Sequence, residues 1–117
     1  ALPSHAQAAT LHVTTRRNST MYATVRQYTD IDPETYDELC RRRAEIEDLL
    51  KSVPSFRSYY MVRTSDGLTT VTVCAEQAGT VESNRRVARW IKEEIATFIP
   101  SPPDIAEGEV IMRFTTP

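Results

Sequence analysis

Prolines set the outline of this chain. Pro33, Pro54 and the stretch Pro100-Ser101-Pro102-Pro103 each fall between segments of regular hydrophobic period. A proline inside a helix or a central strand removes a hydrogen bond, so these positions mark element boundaries. Before the first, Met21 to Tyr28 is β-branched and aromatic with alternating character, which predicts a strand. Asp32-Pro33-Glu34 then starts a helix, with Asp32 as N-cap, Pro33 at the first helical position and Glu34 against the positive dipole end. Tyr36, Leu39, Cys40, Ile46, Leu50 and Val53 share one face of that helix, and Pro54 closes it.

Phe56 to Thr64 and Leu68 to Glu76 are the next two strands. Ser65-Asp66-Gly67 between them supplies a turn able to adopt positive φ, which makes the pair a hairpin. Gly79-Thr80 opens a second helix whose inner face carries Asn84, Val87, Ala88, Ile91, Ile95 and Phe98. The proline-rich stretch follows as a stiff connection, and Gly108 to Phe114 is a last short strand. The order βαββαβ predicts an α+β, ferredoxin-like fold: a four-stranded antiparallel sheet with two helices on one face.

At 117 residues the chain is the size of one domain. No apolar run approaches the length that spans a bilayer, which excludes a membrane helix and predicts a cytoplasmic protein without membrane contact. A net charge of −2 argues against nucleic acid as a partner, which needs a basic face. Two cysteines without a CxxC pair make neither a disulfide framework nor a zinc knuckle. The first twenty residues differ from the rest: they hold Arg16, Arg17, both histidines (His5 and His12) and no acid. They are expected to form an N-terminal extension or arm, residues 1–20, ahead of a domain over residues 21–117. Ala6-Gln7-Ala8 has the small-residue form of an export cleavage site but lacks a preceding apolar region, and Leu11 to Thr15 could add a strand.

A sheet with both helices on one side leaves the other side uncovered. The apolar alternation sets Ala23 and Val25, Tyr60 and Val62, and Val71, Val73 and Ala75 are expected to face the helices. Tyr22, Thr24, Arg26 and Tyr28, with Arg57, Tyr59, Met61 and Arg63, and Thr70, Thr72 and Cys74, are then expected on the open face. Tyrosine and arginine enrichment suits an interface or a binding surface.

The segments "MYATVRQYTDIDPETYDEL", "YYMVRTSDGLTTVTVCAE" and "ESNRRVARWIKEEIA" followed by "GEVIMRF" resemble the dimeric α/β-barrel superfamily. They are similar to the small bacterial proteins grouped with antibiotic-biosynthesis-monooxygenase-like domains. That resemblance covers about residues 21 to 114 and implies a homodimer packed through the open sheet face. Members of the broader family oxidise polycyclic phenols without bound metal or flavin, and others degrade haem. A haem-degrading member would offer an asparagine on the first strand and a histidine after the second helix. Here the first strand carries Arg26 and Gln27, and no histidine occurs from Met21 onward. No cofactor and no metal is expected.

The resemblance implies a cofactor-independent, monooxygenase-like enzyme acting on a small aromatic substrate. The alternative is a non-catalytic dimeric ligand-binding or stress-associated module. Substrate-binding candidates are Arg26, Tyr59, Arg63, Asn84 and Trp90. Arginine would bind an anion, since it is always charged and cannot act as a base. A dimer contact, or an edge pair with Glu76 or Glu109, would equally account for Arg26, Arg63 and Tyr59. Asn84 stands on an apolar helix stripe, where a buried amide needs a partner. It would either bond a nearby backbone group or point into a cavity between helix and sheet. Trp90 lies about 240° further round the helix, so the two form no single helical patch. Without a neighbouring histidine, neither Cys40, expected in the core, nor Cys74 is a nucleophile candidate.

Overall fold

A computed structural model describes residues 20–117. Seven elements follow one another: β1 (Met21–Thr29), α1 (Pro33–Arg41), α2 (Arg43–Lys51), β2 (Phe56–Arg63), β3 (Gly67–Cys74), α3 (Gln77–Glu94) and β4 (Asp104–Val110). The four strands form one antiparallel sheet in the order β2-β3-β1-β4, the ferredoxin-like arrangement. His5, His12, Ala6 to Ala8 and Leu11 to Thr15 lie outside the described residues.

The first helical segment is two helices instead of one. The break falls at Arg42, with φ −97° and ψ 19°, where the backbone N–H is shared between the carbonyls of Glu38 and Leu39. The apolar stripe lapses there too, because Arg41, Arg42 and Arg43 occupy the turn between Leu39 and Ile46. These arginines lie against acids one turn away: Glu38 accepts from Arg41 and Arg42, and Glu45 from Arg42. Cys40, expected in the core, is exposed. Asp32 does occupy the N-cap, but only its backbone carbonyl takes part, accepting from the Thr35 N–H at 2.9 Å.

Gly67 has no positive φ; the left-handed residues are Asp30 (φ 57°) and Ser55 (φ 62°). The glycine answers a different need. A Cβ there would lie 2.0 Å from the Tyr28 carbonyl oxygen, so β3 can run this close to β1 only without a side chain. The last strand spans residues 104–110, earlier than the 108–114 expected, because pairing with Gln27 begins at Asp104, immediately after the prolines. Its sequence, DIAEGEV, lies on an exposed edge and so carries no apolar alternation. Ile111, Met112 and Phe114, which had suggested a strand, remain exposed beyond it.

The core lies between the sheet and the helices, built on Tyr28, Leu39, Leu68, Ile95 and Ile99, with Ile31, Ile46, Trp90 and Ile91 packed around it. The facing of the sheet is the reverse of the expectation. Thr24, Arg26 and Tyr28 on β1, and Leu68, Thr70, Thr72 and Cys74 on β3, are the buried residues beneath the helices. Their registered partners Tyr59, Met61 and Arg63 on β2 share that side. Ala23, Val25, Tyr60, Val62, Val71 and Val73 lie on the open side, where Tyr60 is 61% and Val62 48% exposed. The choice of facing assumed that the more apolar set must be covered, and here the covered set is polar but mutually hydrogen-bonded.

Candidate functional site

Arg26 is the centre of that polar set. It sits on β1, between the hydroxyl-bearing strand β3 and the first turns of α3, and is 1% exposed. Its Nε donates to Asn84 Oδ1 at 2.8 Å. Its Nη1 donates to Thr70 Oγ1 at 3.2 Å and to Thr72 Oγ1 at 3.0 Å. Its Nη2 donates to Ser83 Oγ at 2.8 Å. None of the ion pairs found among the described residues includes Arg26. Every one of its direct partners is neutral. Burial therefore pulls the guanidinium below the usual arginine value, opposed by Tyr28, Tyr59, Cys74 and Glu107 around it. It remains a cation at any working pH.

Asn84 carries the network outward. Its Oδ1 also accepts from Thr24 Oγ1 at 3.2 Å, while its Nδ2 donates to Thr24 Oγ1 at 3.0 Å and to Glu107 Oε1 at 2.7 Å. The charges at its two ends fix the orientation of the amide, oxygen toward the guanidinium and N–H toward the carboxylate. Asn84 thus bonds side chains of three strand residues, where its bland expectation was a backbone partner near the helix start. Ser83 is placed by its own bond to the Thr80 carbonyl, one helical turn back. Thr80 and Gly79 are buried with it, and α3 comes close to the sheet here because Gly79 has no Cβ to meet Pro54 and Cys74.

Arg26 and Asn84 help to line a cavity of about 320 Å³ between α3, the prolines and the edge of the sheet. Its walls are apolar, with Val87, Ile91 and Ile99 on one side and Pro102, Pro103 and Ile105 on the other, and exposed Lys92 is the other charged residue lining it. The chemistry available is that of a shielded cation in the lining of an apolar cavity, which favours an anionic group on a hydrophobic molecule. A wider groove of about 540 Å³ runs between the first two helices and β2, past Leu39, Ile46 and Met61, but its Glu47 and Lys51 are already paired at 2.6 Å.

Of the five residues expected to bind substrate, the structure brings together Arg26 and Asn84. Arg26, Tyr59 and Arg63 were expected on the open face, and all three belong to the helix side. Tyr59 is packed beside Arg26 and Thr70, but it faces the groove, and burial pushes its hydroxyl above the usual value. Arg63, at the end of β2, stacks 4.1 Å from the centre of the Tyr36 ring. Trp90 points away from the cavity: its Nε1 donates to Glu45 Oε2 at 2.5 Å, and Arg42 lies over its ring. Cys74 is buried and burial raises its thiol, so it holds its proton. Among the described residues no cluster of three or more His, Cys, Asp or Glu could hold a metal ion, and no helix is long and apolar enough to cross a membrane.

Sequence reasoning missed Ser83, Thr70, Thr72, Thr24 and Glu107 as members of this site. A signal for them existed: Thr24, Arg26 and Tyr28 share one phase of β1, so an inward Tyr28 brings the arginine and its hydroxyl partners inward with it.

No protein-family model matches the sequence, and a search of curated proteins by sequence finds no significant match. Solved structures do share the fold. The NE2512 protein of unknown function from Nitrosomonas europaea matches with a TM-score of 0.67 and 17% identity, over 86% of this chain and 98% of its own. A candidate antibiotic biosynthesis monooxygenase from Bordetella bronchiseptica matches at TM-score 0.62 and 12% identity, over 79% and 98%. A monooxygenase of Streptomyces coelicolor, from the gene ActVA-Orf6 and in complex with the ligand nanaomycin D, matches at 0.56 and 14%, over 87% and 96%. The chain therefore shares the ferredoxin-like fold of these solved structures.

Proposed function

We infer that this protein is a cofactor-independent, monooxygenase-like enzyme that binds a small aromatic substrate as its phenolate in the Arg26–Asn84 cavity. One observation carries the reading: a buried arginine, without a carboxylate in contact among the described residues, lines an apolar cavity. Arginines in such surroundings are ordinarily matched by an acid, and a ligand anion supplies the missing charge here. A monooxygenase of the same fold that holds nanaomycin D lends support to a small organic occupant.

Chemistry follows from holding the phenolate. The electron-rich ring carbon passes one electron to dioxygen, and the radical pair combines into a ring hydroperoxide. Loss of water then leaves a carbonyl. A carbon that began as CH₂ in the keto form ends as C=O, the second oxygen atom leaves as water, and the substrate supplies all the electrons. In this scheme Arg26 stabilises the anion, Asn84 fixes Arg26, and the apolar walls exclude water.

Support for a homodimer through the open sheet face comes from the residues found there. Val25, Tyr60, Val62, Val71 and Val73 form an apolar surface that a second copy of the same face would cover.

The test is oxygen uptake with a panel of anthrones and polycyclic phenols, with products identified by mass spectrometry. One dioxygen consumed per quinone formed, lost in Arg26→Met, is the expected outcome. Tight binding of the same compounds without oxygen uptake would leave the non-catalytic binding module.

A further inference from the structure

Given that the Arg26–Asn84 cavity is the ligand site inferred above, its second cation bears on what the rest of the ligand is. Lys92 lines the cavity along with Arg26, and no acid is among the described residues that line it. Lys92 is exposed and takes part in none of the ion pairs among the described residues. That sets it apart from Arg41, Arg42, Lys51, Arg85 and Arg86, each paired with an acid three or four positions away. At those spacings Lys92 has Ala88, Arg89, Ile95 and Ala96. The two alanines line the cavity as well, so small side chains flank the lysine on that wall.

The two cations stand apart along the helix. Arg26 is tied to α3 at Asn84, whose Oδ1 accepts from its Nε at 2.8 Å. Lys92 follows eight residues later, and at the rise of an α-helix the two positions lie about 12 Å apart. Between them Val87, Ala88 and Ile91 make an apolar wall. Their surroundings differ: Arg26 is buried, and Lys92 meets solvent. An exposed ion pair is worth no more than about 1 kcal/mol, too little to hold a phenol ionised at neutral pH. The partner that suits Lys92 is an acid already charged there, a carboxylate.

We propose that Lys92 is a second anion-binding residue of this cavity, and that the ligand is an elongated aromatic molecule with an acidic group at each end. The phenolate lies toward the buried Arg26, and a carboxylate on the far side of the ring system meets the Lys92 ammonium at the mouth. A fused ring system spans the apolar wall between them. A ligand whose far end is neutral leaves Lys92 hydrated and gains nothing from it.

The experiment is a calorimetric titration of the full chain with 6-hydroxy-2-naphthoate and with its methyl ester. The two share skeleton and phenol and differ in the charge at the far end. At pH 8 the carboxylate and the ammonium are both charged. The acid is expected to bind about threefold more tightly than the ester. Lys92→Gln, an exposed helix position given another good helix former, brings the two probes to equal affinity and leaves the ester unchanged. Lys92→Glu makes the ester the tighter ligand. Ala88→Phe, which fills the cavity from its wall, removes binding of both probes and locates them. Equal affinities in the wild-type protein, both lost in Ala88→Phe, overturn the role of Lys92 while the cavity reading stands. A preference for the acid that survives Lys92→Gln overturns it too, by placing the carboxylate elsewhere. No binding of either probe, or binding indifferent to Ala88→Phe, overturns the cavity reading and the second anion site with it.

Discussion

The two faces of the sheet are built from opposite materials. Beneath the helices lie Thr24, Arg26, Thr70 and Thr72, all buried, while the uncovered side presents Val25, Tyr60, Val62, Val71 and Val73. A sheet that only had to fold would be the other way round. What makes the polar interior stable is its completeness: every buried side-chain nitrogen and oxygen among the described residues has a partner. A satisfied polar network costs little relative to water, and an unsatisfied one costs about 1–3 kcal/mol per group. The comparison teaches that hydrophobicity alone does not decide which face of a sheet is covered: complete hydrogen bonding lets a polar face be the buried one.

A lysine placed at two consecutive positions is the severest test of this contrast. Thr72 is fully buried and accepts from Arg26. Thr72→Lys puts a second cation against that guanidinium, and the loss should reach about 4 kcal/mol or more, enough to abolish cooperative unfolding. Urea denaturation followed by circular dichroism measures it. A variant within about 1 kcal/mol of wild type would mean that the polar face is open to solvent.

The next effect is a pH dependence centred on the helix side. Burial pushes the Tyr28 hydroxyl up to about 12 from its ordinary 10, with Arg26 opposing. Between those values the unfolded chain ionises Tyr28 while the folded chain keeps the proton. The unfolded state thus binds fewer protons, and stability must fall as pH rises through that window. The loss approaches 2–3 kcal/mol at its upper end, on the order expected for a shift of this size. Tyr28→Phe should flatten most of the decline, the remainder belonging to Tyr59, the Cys74 thiol and the Lys51 ammonium, which all shift in the same direction. A decline of undiminished slope in Tyr28→Phe would show that another group titrates.

Asn84→Ala is a smaller change that strikes the link between the two ends of the network. It leaves Arg26 Nε and the Glu107 carboxylate without their shared partner. About 1–2 kcal/mol of stability should go with it, together with binding of the anthrones and polycyclic phenols. Loss of stability with unchanged binding would make the amide purely structural.

Asn84 also marks the limit of what sequence could reveal. Its place on an apolar stripe was visible, and so was the need for a polar partner; the alternation of β1 and β3 fixed which residues share a face. Choosing the face was another matter, because the usual criterion is hydrophobicity and the threonines and arginine reverse it. Arg26 could be suspected from residue type alone, but its neighbours could not. Ser83 is one position along the helix from Asn84, and Thr70 and Thr72 join Arg26 only through strand pairing more than forty residues away. The edge strand β4 was misplaced for a related reason: with one side in solvent, pairing to β1 defines it and its own pattern does not.

The smallest effect on the folded subunit should come from the other member of the lysine pair. Val71 lies at the centre of the open face, paired to Val25 on one side and Tyr60 on the other. A lysine there can extend into solvent in an isolated subunit, so Val71→Lys should change subunit stability by no more than about 1 kcal/mol. In a face-to-face dimer the same residue meets its own copy near the two-fold axis, and two like charges are trapped together in an apolar layer. Sedimentation velocity should then show the wild-type dimer and a folded Val71→Lys monomer, one residue away from a substitution that destroys the fold. A variant that remains dimeric would move the contact elsewhere, to the β2 edge or to the exposed Ile111, Met112 and Phe114. The apolar open face would then need a different explanation.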